Sequence, residues 1–360
     1  MLFDDIYRGR RVLVTGHTGF KGSWLCQWLL NLGATVRGYA LDPPTSPSLF
    51  EQLGLSSQLE DVRSDIRDRH RLLAEIKTFH PEFVFHLAAQ PLVRYSYQQP
   101  IETYETNVMG TIHVLDSLRI LNRPCMVIVV TTDKCYENRE WIYGYRENEA
   151  MGGADPYSSS KGMAELAVSA YRRSYFQDGT IRVASVRAGN VIGGGDWATD
   201  RIVPDCVRAL QKNEPIVVRN PLATRPWQHV LEPLHGYLLL AQQLHLAQPA
   251  SDRLNRLCSG FNFGPESSSN RTVQELIDQL LQTIPGSWQN HRDPNSLHEA
   301  HLLHLCIDKA KSLLDWTPKW DFATSVKMTA EWYQQHGTGQ DVRLLTQQQI
   351  SAYAASHAAA

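Results

Sequence analysis

The sequence predicts an α/β fold, a doubly wound parallel sheet with a smaller C-terminal α/β substrate-binding lobe, and three observations carry that prediction. The first is VLVTGHTGFKG (12–22), a β-type run entering a turn with glycines at 16, 19 and 22. The second is the alternation after it, in which a helix-like stretch, Ser23–Leu32, leads to another β-type segment, Thr35–Ala40. The third is the apolar run that opens at Phe83 and passes into the small residues before Gln90, with a second run at Cys125–Val130. Uninterrupted apolar strands of this kind are buried on both faces of a parallel sheet. Together these features describe a Rossmann-type sheet whose first turn can cradle phosphate.

Each glycine of that turn has a use. Gly16 can make the tight turn after the strand, Gly19 lets a pyrophosphate approach bare backbone, and Gly22 lets the next helix pack closely on the sheet. That helix would aim its free N–H groups and positive dipole end at the phosphates. His17, Thr18, Phe20 and Lys21 lie within the same cradle and are candidate cofactor contacts with Gly16, Gly19 and Gly22.

Composition narrows the partner. The 360 residues exceed one typical doubly wound domain, so residues 1–189 are assigned mainly to dinucleotide binding and 190–345 mainly to a second lobe, with some chain returning to the main sheet; 346–360 is read as a tail. Lys and Arg number 35 against 37 acids, a net charge of −2 that argues against nucleic-acid or membrane partners. Six scattered cysteines without a Cys-x-x-Cys pair fit reduced thiols in a cytoplasm rather than disulfides or a metal site. The N-terminal MLFDDIYRGRR lacks the apolar core of a signal peptide, and the apolar run Tyr237–Ala241 is too short to span a bilayer.

Further along, Asp42 follows the second strand and is a candidate for the adenosine ribose, although Ala40 occupies the usual position; the alternative is a turn residue capping its own backbone. No arginine follows that strand to meet a 2′-phosphate, so NAD is expected rather than NADP. Leu87, Ala88 and Ala89 are positioned for a cofactor to lie along the end of the fourth strand, and His86 reads as a satisfied buried histidine. Pro100–Leu121 has apolar residues at 108, 112, 115 and 118 and predicts one long helix.

The chemistry is expected at two later places. Thr131–Lys134 follows the strand Cys125–Val130, and ligands bind at the C-terminal edge of a parallel sheet. Asp155-Pro156 opens a helix with a good N-cap and a preset first turn, which puts Tyr157 and Lys161 on one helix face. An ammonium beside the phenol would lower its pKa and supply a tyrosinate base near neutral pH. Ile181–Arg187 predicts another strand, Thr272–Thr283 and Asp308–Asp315 predict helices, and Arg201, Asn220, Arg225 and His229 are candidates to meet a diphosphate.

TGHTGFKG (15–22), HLAAQ (86–90), TTDK (131–134), YSSSK (157–161), RAGNVIGGGDW (187–197) and RPWQHV (225–230) together resemble the extended short-chain dehydrogenase/reductase family, within it the nucleotide-sugar 4,6-dehydratases, over residues 8 to 325. The resemblance implies NAD as cofactor, CDP-glucose or a similar nucleotide sugar as substrate, and a homodimer or higher homo-oligomer joined near 101–121 and 157–175. It makes Tyr157 and Lys161 the redox pair, Thr132 the partner of the sugar 4-hydroxyl, and Asp133 and Lys134 the elimination residues. It also places Asp65 and Ile66 beside adenine, Gln90, Asn190, Arg201, Asn220 and Arg225 on the substrate, and Asn107 in a structural role. Two residues depart from the pattern: Lys21 stands where most relatives have an apolar residue, and Lys134 replaces a glutamate. Lys134 is assigned as the C5 base, its pKa pushed down by burial and by Lys161, with Asp133 as the acid at C6; the alternative is a plain Lys134–Asp133 ion pair. A 4-epimerase would need Tyr157 and Lys161 but no Asp133-Lys134, and a non-catalytic NAD sensor would need neither pair.

Overall fold

A computed structural model describes residues 2–291 and 303–358. Seven strands, β1 (Arg11–Thr15), β2 (Thr35–Ala40), β3 (Glu60–Arg63), β4 (Phe83–His86), β5 (Cys125–Val130), β6 (Ile181–Ala188) and β7 (Gly260–Phe263), form one parallel sheet in the order β7-β6-β5-β4-β1-β2-β3. The chain therefore reverses direction of winding between β1 and β4. The C-terminal ends of those two strands form the crevice in which doubly wound sheets bind ligands.

Successive side chains on a strand point to opposite faces, and the core divides accordingly. Val12, Val14, Phe83, Phe85, Met126 and Ile128 enter one apolar cluster, whereas Leu13, Val84, Val127, Val129 and Val183 enter the other. The first layer is covered by α1 (Phe20–Asn31) and the second by α2 (Arg69–Phe79), α3 (Gly110–Leu121) and α4 (Pro156–Tyr175).

Two elements differ from the sequence expectation in ways that bear on function. α1 begins at Phe20 rather than Ser23, so Phe20, Lys21 and Gly22 form its first turn and Gly19 is its N-cap. The predicted helix Pro100–Leu121 is present but contains a π-helical turn, Glu105–Met109, between Pro100–Tyr104 and α3. Such turns recur at functional sites. Here the π turn carries Asn107, whose Oδ1 accepts from Gln90 N (2.8 Å) and whose Nδ2 donates to Gln90 O (3.1 Å) and Ser160 Oγ (2.8 Å).

Beyond β6 the chain builds a smaller region of short paired strands, Val191–Ile192 with Gln228–His229, Thr224–Pro226 with Asn270–Thr272 and Ile216–Val218 with Trp288–Asn290. It contains α5 (Ile202–Gln211), α6 (Leu231–Leu246) and α7 (Val273–Leu281), the last with a Thr272–Glu275 capping box. β7 returns to the main sheet beside β6.

The segment read as a tail from 346 is instead part of a packed helix, Val342–Ala358; residues 359–360 lie outside the described residues. Tyr353 is fully buried and donates to Glu232 Oε2 (2.7 Å), whose other oxygen accepts from Lys319 N and Trp320 N. Among the described residues no helix is long and apolar enough to cross a membrane, and the six cysteines are free.

Candidate active site

The glycine turn fits a dinucleotide pyrophosphate. Gly16 has φ +73°, and a Cβ there would lie 2.7–2.9 Å from the Leu87–Ala88 backbone across the crevice. A Cβ on Gly22 would overlap the Gly16 carbonyl oxygen, whereas Gly19 meets nothing closer than 3.5 Å and no side chain caps α1. The bare surface at Gly19 and the uncapped helix start are the features an anion requires. Leu87 N donates to Thr15 O (3.1 Å) and Ala88 N to Thr15 Oγ1 (3.2 Å), fixing the 87–89 strip opposite the turn. Gly22→Ala is therefore expected to lower stability by roughly 1–3 kcal/mol and to abolish retention of the dinucleotide, read by thermal unfolding and by the absorbance of released cofactor.

Other cofactor candidates are placed differently from expectation. His17 is fully buried, lies over Gly38 and bonds Asp61 Oδ1 through Nε2 (2.8 Å); burial lowers its pKa, opposed by Asp61. Thr18 Oγ1 donates to Leu41 O (3.0 Å). Asp42 is exposed and pairs with Arg63 (3.3 Å), which also grips Asp61 through Nε and NH2. An arginine thus does reach the end of β2, supplied by β3 and already neutralised by two acids. Asp65 chelates the Arg67 guanidinium (2.6 Å) and backbone N (2.8 Å), and Ile66 is buried against Gly110. His86 is satisfied as expected, by Thr15 Oγ1 (2.7 Å) and Thr111 Oγ1 (3.1 Å), and burial takes its pKa down to about 3.

The two chemical segments do converge. β5 ends in a turn, Asp133–Cys135, N-capped by Thr132, and α4 is capped by Asp155, whose carboxylate accepts from Ser158 N (3.0 Å). Thr132 and Asp133 are buried, Thr132 Oγ1 donates to Asp133 Oδ1 (2.9 Å), and the Thr132 hydroxyl lies close enough to the Tyr157 phenol to favour its ionised form. A Cβ on Gly189 would lie 2.8 Å from Asp133 Oδ2 and 3.4 Å from Pro226 Cγ, so Gly189 packs close to both the Asp133 carboxylate and Pro226. Burial raises the Asp133 pKa, against the pull of Lys134, Thr132 and Lys21, and so favours a carboxyl that holds a proton.

Three lysines meet here, in unexpected roles. Lys161 is buried and donates to Val130 O (3.3 Å); burial lowers its pKa to about 8, offset chiefly by Glu165. Burial raises the Tyr157 phenol to about 12, and the opposing pull comes from the Thr132 hydroxyl and the Arg201 guanidinium rather than from Lys161. The shared helix face is real, but the Lys161 ammonium is drawn to the sheet-edge carbonyl. Lys134, expected to be buried, is instead exposed at the turn. Burial also lowers to about 8 the pKa of Lys21 in the first turn of α1, with Arg201, Asp133 and Lys161 among its charged neighbours.

Of the substrate candidates, Arg201 reaches the site, held by Asp196 (2.8 Å) and close enough to Tyr157 for each to shift the other's pKa. Asn190 follows β6 after Gly189, and Asn220 is exposed in the turn after Ile216–Val218. Arg225 sits in the Thr224–Pro226 strand and donates to Thr224 O (2.8 Å). The Gln90 side chain is turned into its own loop, bonded to Leu92 and Thr103. His229 is not at a surface: it is fully buried between the Trp24 and Trp320 rings (5.8 and 4.9 Å). Asp61, Asp196 and the active-site position of Lys21 were missed from the sequence, where no local spacing marks them.

Comparison with known proteins agrees with this fold. The family model described as GDP-mannose 4,6 dehydratase matches residues 13–329. The chain is 48% identical to CDP-glucose 4,6-dehydratase of Salmonella typhimurium over 98% of each chain. Among solved structures it resembles UDP-glucose 4-epimerase of Thermotoga maritima with UDP-glucose (TM-score 0.78, 22% identity, 91% of this chain and 99% of that one). It also resembles dTDP-glucose 4,6-dehydratase of Bacillus anthracis in complex with NAD (TM-score 0.75, 21% identity, 92% and 98%).

Proposed function

The chain belongs to the GDP-mannose 4,6-dehydratase family, and from that premise we propose that it converts CDP-D-glucose to CDP-4-dehydro-6-deoxy-D-glucose and water. The observation that carries this reading is the meeting of the buried Thr132 and Asp133 with the buried Tyr157 at the end of β5, with Lys134 exposed beside them. A 4-epimerase needs the tyrosine and lysine but has no use for the adjacent acid and amine. The cofactor is NAD, which the Gly16–Gly22 turn and the Leu87–Ala89 strip would hold and which would supply reversible hydride transfer, to be taken up from C4 of the sugar and given back at C6 with no net consumption.

The residues divide the proton work. Tyr157 Oη takes the proton of the 4-hydroxyl, which Thr132 holds in line; the Thr132 hydroxyl and the Arg201 guanidinium favour the tyrosinate, and Lys161 is assigned to the nicotinamide ribose. Oxidation at C4 makes the C5 proton acidic. Lys134 Nζ takes that proton, and Asp133, whose burial favours the protonated carboxyl, gives a proton to the C6 oxygen so that water can leave. Lys134 is exposed in the free chain; a sugar bound over Asp133 would cover it. Asn190, Arg201, Asn220 and Arg225 are assigned to the nucleotide diphosphate, on the region beyond residue 190.

A homo-oligomer is supported by exposed apolar side chains on the neighbouring helices around 100–121 and on α4, namely Ile101, Met109, Met163, Leu166 and Tyr175. We place the enzyme in the cytoplasm, at an early step toward deoxy and dideoxy sugars of surface polysaccharide such as O-antigen.

The direct test is mass spectrometry of products from a panel of nucleoside-diphosphate glucoses. CDP-glucose is expected to lose one water with no net change at the NADH absorbance band. Obligatory stoichiometric consumption of NAD, or a product of unchanged mass, would overturn the reading; equal or better turnover of dTDP-glucose would overturn the cytidine preference.

A further inference from the structure

Below the reacting groups lies a buried polar cluster that the mechanism does not use. Glu165, on α4 one turn past Lys161, is only 5% exposed, and Arg187 on β6 is 4% exposed. The two form a bidentate pair, Nε to Oε1 and NH2 to Oε2, both 2.9 Å. The same carboxylate accepts from Thr131 Oγ1 (2.5 Å) and Ser185 Oγ (2.6 Å). Arg187 goes on to Tyr136 Oη (2.5 Å) and Glu147 O (3.0 Å), and Tyr136 donates to Asn262 on β7. Thr131 and Tyr136 are the two ends of the turn that carries Thr132, Asp133 and Lys134, so both ends are tied to one ion pair.

We infer that Glu165 is a positioning residue for the reaction: through Thr131 and Arg187 it holds the Thr132–Lys134 turn against α4, and it sets a fixed negative charge one helical turn from Lys161. A bidentate pair inside a low-dielectric core fixes direction as well as distance. The alternative, a purely structural ion pair, would leave the reacting groups indifferent to the sign of the charge. Lys161 is faced by Tyr157 and Glu165 on its own helix, Cys135 and the Val130 carbonyl from the β5 end, neutral His86 from β4 and Lys21 from α1. Glu165 is the one carboxylate among these neighbours. The inference rests on the assignment of Tyr157 and Lys161 as the redox pair.

The test compares Glu165→Gln, which keeps the hydrogen-bonding shape without the charge, with Glu165→Asp, which keeps the charge on a shorter arm. Glu165→Gln is expected to lower kcat roughly 10- to 100-fold, with KM within about twofold. It should move the alkaline limb of kcat downward by about one pH unit and speed amide hydrogen exchange across residues 131–136 in the chain without substrate. Glu165→Asp should leave the alkaline limb at its wild-type pH. A wild-type limb in Glu165→Gln, an equal shift in both variants, or unchanged exchange across the turn would each overturn the inference. Should the unpaired Arg187 prevent folding, Glu165→Gln/Arg187→Met removes both charges and is judged by the same limb and exchange. Tyr157→Phe is measured alongside: turnover retained there refutes the redox assignment, whereas an inactive Tyr157→Phe with a wild-type Glu165→Gln refutes this inference alone.

Discussion

Tyr157→Phe is expected to lower turnover by about 10²- to 10⁴-fold while leaving the affinities for cofactor and nucleotide sugar within about twofold. The phenol ring fills its buried place in either variant; the change deletes only the oxygen that takes the 4-hydroxyl proton. Burial raises that phenol to about 12 even against the pull of Thr132 and Arg201, which would leave little tyrosinate at neutral pH in the free chain. The Thr132 hydroxyl and the Arg201 guanidinium both favour the ionised form, and a positively charged nicotinamide would add to them. Lys161→Met should lower turnover and also weaken NAD binding, because the ammonium is assigned to the ribose as well. With Lys161 near 8, its charged form is fully present at lower pH and is lost as pH rises through that value, so activity should fall on the alkaline side. Pre-steady-state kinetics, equilibrium binding of NAD and a kcat–pH profile check these outcomes; full activity in either variant would remove the redox assignment.

What the sequence revealed were features specified within a few residues. The Gly16–Gly22 turn, the Asp155 cap and the Tyr157–Lys161 spacing are local, and turn chemistry, capping and helix period can be read from neighbours alone. Side-chain direction cannot. Lys161 shares a face with Tyr157, yet its ammonium is taken by the Val130 carbonyl, which belongs to a strand. The start of α1 three residues early turns Lys21 from a loop residue into a first-turn side chain beside Asp133 and Arg201. His229 sits in a segment expected to bind phosphate, but the aromatic rings that bury it come from α1 and from Trp320. The last helix escaped notice for the same reason: its composition is bland, and its anchor, Tyr353 to Glu232, spans 121 positions. Glu165 and Arg187 carry no motif, because their meaning lies in a strand and a helix brought together.

Asp133→Asn and Lys134→Met are expected to separate the two halves of the reaction. Each variant retains Tyr157 and Lys161, so each should still reduce bound NAD when substrate is added, then stall before water is lost. Asp133 is the better-supported half of the assignment. It is 3% exposed, its pKa is raised by burial, and a protonated carboxyl is what a departing hydroxide needs. An asparagine of the same shape keeps the Thr132 contact but has no acidic proton, so an expected loss in turnover of about 10²- to 10⁴-fold reports proton donation. Lys134 carries the less protected half. It is exposed at the turn, so a bound sugar would have to cover it. Lys21, already held near 8 beside the same carboxylate, is the rival amine. Deuterated solvent decides between them. The 4-keto sugar in Asp133→Asn should still exchange its C5 proton, because the base is intact and only the acid is gone. Lys134→Met should lose that exchange. Exchange at the wild-type rate in Lys134→Met would show that another group takes the C5 proton, and exchange lost in Lys21→Met but kept in Lys134→Met would move the base to Lys21.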